Sequence, residues 1–101
     1  MSCLEIVSVR TRGRAQTTAL LELCRQLRPP PLTPGSPAEL KVYCSVGYDT
    51  DLSVHIHWKS DTALQGKSAL GLEVRATLSD FGLTNHTFWR EHEEVATDSP
   101  A

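Results

Sequence analysis

Residues 40–59 read LKVYCSVGYDTDLSVHIHWK, and two alternations meet in them. Leu40, Val42, Cys44 and Val46 fall on one face of an extended chain and Lys41, Tyr43 and Ser45 on the other, as a half-buried strand requires. Leu52, Val54, Ile56 and Trp58 repeat that pattern, with Ser53, His55, His57 and Lys59 on the reverse. The segment GYDTD between them is rich in turn formers and short enough to close a hairpin. Pairing Val46 with Leu52 aligns both apolar faces, so that Cys44 meets Val54, Val42 meets Ile56 and Leu40 meets Trp58. That register puts Tyr43 opposite His55 and Lys41 opposite His57.

Around this hairpin the periodicity changes twice. Cys3 to Arg10 is a strand with apolar groups on both faces, Ile6 against Val7 and Val9, as expected where both sides are covered. Leu20, Leu23, Cys24 and Leu27 recur at three- and four-residue intervals and predict an amphipathic helix from Arg14 to Leu27. Pro29 to Pro31 end it, which makes RPPPLTPGSPAE a loop, either a spacer or a lid. Leu70, Val74, Leu78 and Phe81 predict a second helix, with Gly82 as its left-handed closing residue. Thr84 to His92 then reads as a last strand, with Phe88 and Trp89 on opposite faces.

The order β-α-β-β-α-β is the split pattern of an α+β ferredoxin-like fold. Right-handed crossovers give an antiparallel sheet of strand order 4-1-3-2 with both helices on one face. The opposite face is left open, and a partner is expected on it. Residues 1–95 read as a single domain and 96–101 as a flexible C-terminal tail.

Composition narrows the function classes. The chain has 101 residues, 40% of them hydrophobic and 22% charged, which is ordinary for one globular domain. Ten Lys and Arg against 12 Asp and Glu give a net charge of -2. No basic cluster extends beyond Arg10, Arg12 and Arg14, which argues against nucleic-acid binding. No signal-peptide pattern and no apolar run of membrane-spanning length is present, so no membrane partner is expected and a cytoplasmic protein is the default reading. Cys3, Cys24 and Cys44 match neither a disulfide framework nor a paired zinc site and read as small buried apolar residues.

His55 and His57 share one strand face, and same-face imidazoles can both reach a tetrahedral ion. A third ligand is missing: Cys44 belongs to the other face, and His86 and His92 lie on the far strand. The expected role is polar packing at the open face, with no metal, against the alternative of a site assembled across a dimer axis. Trp58 reads as a core aromatic, a pocket wall, or both.

The segment HWKSDTALQGKSALGLEVRATLSDFGL at 57–83, followed by FWRE at 88–91, resembles the antibiotic biosynthesis monooxygenase-like (ABM-like) family. The carrying features are a strand ending in Trp58, a polar turn from Lys59 to Thr62, the pair Ala63 and Leu64, and a helix from Ser68 onwards. The resemblance implies a homodimeric α+β barrel formed through the open sheet face. It also implies a small-molecule pocket between sheet and helices, lined by Trp58, Arg90, His86, Leu70 and Val74, with Tyr43, His55 and His57 on the dimer face.

The implied ligand is a small aromatic or quinone-type molecule. The protein would either bind it without catalysis or act as a cofactor-independent monooxygenase on a phenolic, quinone or polyketide-type substrate. In the latter case Trp58 would stack on the ring, and Arg90, Tyr43 or His86 would make the polar contact. Two departures stand out. Gln65, Gly66, Lys67 and Ser68 hold no His where haem-degrading relatives carry their iron ligand, and the first strand offers Glu5 and Ser8 in place of a family Asn.

Overall fold

The structure, a computed structural model, describes residues 2–27, 39–58 and 68–95. The expected loop after Arg28, the turn and Ala-Leu pair at 59–64, and the tail 96–101 fall outside the described residues. The elements follow in the expected order: β1 Cys3–Thr11, α1 Arg14–Cys24, β2 Glu39–Cys44, β3 Asp51–Trp58, α2 Ala69–Ser79 and β4 Gly82–Arg90. They build a four-stranded sheet of order β2-β3-β1-β4, antiparallel at every pairing, which is the ferredoxin-like order read from the opposite edge.

The core lies on one side of that sheet. Cys3, Val7 and Val9 of β1 and Leu52, Val54, Ile56 and Trp58 of β3 are buried there with Leu20, Cys24, Val74 and Leu78 of the helices. The helical positions follow from spacing: Thr17, Leu20 and Cys24 form the buried stripe of α1, and Gly71, Val74 and Leu78 that of α2. Leu21, Leu27, Leu40, Leu70 and Phe81 pack against the same cluster from its margin. Cys3 and Cys24 are buried as expected, and burial pushes the Cys24 thiol up, with Cys44 adding to the shift. Cys44 is exposed instead, because it is the last residue of the edge strand.

The hairpin register differs from the expected one by two residues. Cys44 pairs with Leu52, Val42 with Val54 and Leu40 with Ile56, so Lys41 is opposite His55 and Tyr43 opposite Ser53. The cause is the turn. Ser45 Oγ accepts from the backbone N–H groups of Gly47 and Tyr48, and the Ser45 N–H donates to the Asp51 carbonyl. This serine turn draws Ser45 and Val46 out of the strand and leaves Val46 fully exposed. A slip of two preserves the faces, which is why apolar alignment alone did not distinguish the two registers.

The helix ends also moved. α1 stops at Cys24, with Leu27 held in a short turn by its N–H to the Cys24 carbonyl. α2 closes on Asp80 in a right-handed conformation, so Gly82 is not its left-handed cap. Gly82 opens β4 opposite Thr11, where an added Cβ would overlap the Arg10 carbonyl oxygen and sit 2.9 Å from Thr11 Cα. Its glycine character is set by close strand approach.

A Gly82→Ala change should therefore lower stability by about 1–3 kcal/mol, the usual cost of forced overpacking. Gly47→Ala, with nothing within 4 Å, should stay within about 0.5 kcal/mol of the parent. Urea denaturation of both variants measures this, and equal midpoints would refute the close-approach argument.

Candidate functional site

Glu5 breaks the apolar face of β1. Cys3, Val7 and Val9 share its side of the strand and are buried, yet Glu5 itself is 0% exposed. An ionised carboxylate at such a place must be paired or hydrogen-bonded. Four donors reach it. Oε1 accepts from the Trp58 indole Nε1 at 3.2 Å and from Ser68 Oγ at 2.7 Å, while Oε2 accepts from the Ser68 backbone N–H at 3.3 Å and bonds His86 Nε2 at 2.6 Å.

Three residues supply these four donors, each at a different element. Trp58 ends β3, opposite Cys3 of β1, so its ring lies beside Glu5 on the covered face. His86 pairs with Val7 from β4, on the same face and one step along. Ser68 caps α2: its Oγ accepts the Gly71 N–H at 2.8 Å while donating to Glu5. The carboxylate thus sits at the start of a helix, where the axial dipole favours negative charge. Gly71 completes the arrangement. An added Cβ there would overlap Glu5 Oε2 and come within 3.0 Å of His86 Nε2, so only glycine lets α2 lie this close.

The His86 side chain is 1% exposed, and Phe88 stacks on its ring with centroids 5.2 Å apart and planes inclined by 26°. Nε2 faces Glu5, but Nδ1 is buried with no hydrogen-bond partner among the described residues. An unsatisfied buried polar atom costs about 1–3 kcal/mol. Removing one partner from a buried charge costs about 3–5 kcal/mol, so Glu5 is bound to this constellation once folded.

The residues expected to line a pocket are thus only partly brought together. Trp58 and His86 meet on Glu5. Val74 is buried in the core and Leu70 packs at its margin. Arg90 is exposed at the last position of β4, opposite Cys3. Glu5, Ser68 and Gly71 were not among the expected site residues. The available signals were a carboxylate in phase with Cys3 and Val7, and a serine immediately before the periodic ALGLEV at 69–74. The border of the cluster toward residues 59–67 lies outside the described residues.

The opposite face carries Leu4, Ile6, Ser8 and Arg10 of β1 with His55 and His57 of β3, Tyr43 of β2 and Leu83, Asn85, Thr87 and Trp89 of β4. Tyr43 and His55 rings stand 4.2 Å apart, and His55 and His57 6.5 Å apart. Ser53 Oγ and His55 Nε2 are hydrogen-bonded at 3.0 Å, and Arg10 holds Asp51 through two 2.9 Å bonds. The Arg10 bond keeps the Asp51 carboxyl below the usual range. Tyr43, Leu83 and Trp89 are exposed. Two depressions open here, one of about 490 Å³ between Tyr43, Ser53, Arg10 and Leu83 and one of about 320 Å³ beside His57 and Trp89. Among the described residues no group of three or more His, Cys, Asp or Glu side chains is placed to hold a metal ion, and no helix is long and apolar enough to cross a membrane.

Solved structures share this architecture along nearly the whole chain. A monooxygenase from the gene ActVA-Orf6 of Streptomyces coelicolor, in complex with nanaomycin D, aligns over 96% of this chain and 93% of its own with a TM-score of 0.62 and 19% identity. A candidate antibiotic biosynthesis monooxygenase from Nitrosomonas europaea aligns over 94% of both chains, TM-score 0.62, 18% identity. The fold is that of the antibiotic biosynthesis monooxygenase-like proteins. SnoaB, a cofactor-independent oxygenase from Streptomyces nogalater, shares this ABM-like fold over 95% of this chain and 98% of its own at only 10% identity, TM-score 0.57. No family model and no curated protein matches the sequence.

On the open face of this ABM-like sheet, burial first and the neighbouring His57 second push the His55 pKa down. The folded state therefore disfavours protonation. As pH falls through about 6.5 the unfolded chain binds its proton first, so this contribution to stability is complete above that pH and is lost toward the lowered folded value. Urea midpoints should drop between about pH 7 and pH 5, and drop less in His55→Gln. An equal drop in both proteins would remove His55 as the cause.

Proposed function

We propose that the protein binds a small hydroxylated aromatic or quinone-type molecule at the covered end of the sheet and oxygenates it without a resident cofactor. The observation that carries this reading is a buried carboxylate–imidazole pair joined to an indole, an arrangement suited to a planar, ionisable ligand. Trp58 and Phe88 supply aromatic surface, and the Glu5 network supplies a proton-accepting centre within an apolar wall. Two proteins of the same fold support it, one solved with nanaomycin D and one described as a cofactor-independent oxygenase.

The chemistry balances with dioxygen as the co-substrate. Loss of the hydroxyl proton gives a phenolate whose ring carbon is electron-rich enough to reduce O2. One oxygen atom enters the ring, the other leaves as water, and the phenol becomes a quinone by loss of the C–H and O–H hydrogens. The protein's part is to stack the ring, accept the proton and exclude bulk water.

A thermal-shift screen of naphthols, hydroxynaphthoquinones and quinones should give at least one stabilising ligand, since ligand at a hundred times its Kd contributes about 2.7 kcal/mol. Trp58→Ala should reduce that shift, and an oxygen electrode should record uptake matching quinone formation. Binding without oxygen uptake would leave a non-catalytic carrier. No binding across the panel would sink the proposal.

The same reading includes assembly. We propose that two copies pair through the open sheet face, where Tyr43, Leu83 and Trp89 are exposed around the half-buried His55 and His57. Sedimentation velocity at micromolar concentration should give a dimer, and Trp89→Glu together with Leu83→Arg should shift it to monomer. A wild-type protein that sediments only as a monomer would exclude this interface.

A further inference from the structure

The Glu5–His86 pair resolves which nitrogen of the imidazole is available for chemistry. Glu5 Oε2 and His86 Nε2 are 2.6 Å apart, and a carboxylate in its ionised form can only accept. Nε2 must then carry the proton. In the neutral ring this leaves Nδ1 with a bare lone pair, and Nδ1 is the atom that is buried without a partner among the described residues. Two independent facts thus converge on one atom: the hydrogen bond to an ionised Glu5 fixes the tautomer, and no described residue uses the lone pair that this leaves.

We infer that His86 Nδ1 is the base that takes the hydroxyl proton of an aromatic ligand, and that Glu5 is the residue that positions it. The inference rests on the function proposed above and names the group that performs its first step. In that step the ligand O–H bond breaks, an Nδ1–H bond forms, and the His86 imidazole becomes an imidazolium beside the Glu5 carboxylate. The electron pair stays on the ligand oxygen as phenolate. Nothing is oxidised or reduced until dioxygen arrives.

Three features equip the pair for this. Glu5 accepts from Trp58 Nε1 and from both Ser68 donors, so its charge is held in one orientation when the imidazolium forms. Phe88 lies against the imidazole face and Gly71 leaves no side chain between α2 and Nε2, which together restrict the ring to the plane that keeps Nε2 on the carboxylate. A ligand hydroxyl at Nδ1 would satisfy a nitrogen that has no partner among the described residues, so binding and proton transfer use the same contact.

The test has two arms. Long-range 1H–15N spectra of the ligand-free protein at neutral pH should show His86 as the Nε2–H tautomer, and Glu5→Gln should redistribute the proton between the two nitrogens. An Nδ1–H tautomer in the wild type would overturn the inference whatever the ligand proves to be. Second, a hydroxynaphthoquinone whose visible band shifts on ionisation is bound under anaerobic conditions. The wild type should convert it to the phenolate form. His86→Gln, which keeps a donor to Glu5 but has no nitrogen base, should bind more weakly and, at saturating ligand, leave the bound phenol protonated. Phenolate formation undiminished in that variant would also overturn the inference, whereas failure of the wild type to bind would instead remove the function on which it rests.

Discussion

The Glu5 carboxylate lies fully buried on the covered face of the central strand, and three other elements meet their positions through it. β3 must end where the Trp58 indole reaches Oε1, α2 must begin where Ser68 presents both its N–H and its hydroxyl, and β4 must place His86 one step from Phe88. Desolvating a charge is expensive, and only a complete set of donors offsets it. Apolar packing by Val7, Val54, Ile56, Leu20 and Leu78 would hold the same layers together with some freedom to slide. The carboxylate removes that freedom at one end of the sheet.

Faces were legible in the sequence where exact positions were not. Period-two alternation assigned Trp58, Val54 and Ile56 to the covered side and His55 and His57 to the open side, because a strand's side chains change face at every step. The same rule is blind to a slip of two, and the β2–β3 register turned on the Ser45 hydroxyl capturing two backbone N–H groups. Gly82 illustrates a second limit: glycine after a helical stripe suggests a cap, yet the atom that demands it is the Arg10 carbonyl, distant in sequence.

The site was half legible for a related reason. Strand alternation put Trp58 on the covered face, and the family resemblance named it and His86 as pocket residues. Glu5 was visible as an acid standing where the family resemblance calls for Asn, but its partners are supplied by Ser68 and His86, 63 and 81 residues away. Gly71 carried no functional signal because its contribution is an absence of volume. Neighbours at 10–19% identity retain this fold, so the layer geometry tolerates wide substitution while the polar contents of the covered face can differ from one chain to another.

Trp58 links two roles that are usually considered separately. As a core aromatic it closes the sheet against the helices, and as a donor it holds one oxygen of Glu5. A ligand that stacked on the indole and tilted it would lengthen the Nε1 to Oε1 bond, leaving Ser68 and His86 to satisfy the carboxylate. The charge felt by the His86 imidazole would then depend on how the aromatic ligand sits. Recognition of a planar ring and control of the proton on His86 are therefore coupled through a single carboxylate.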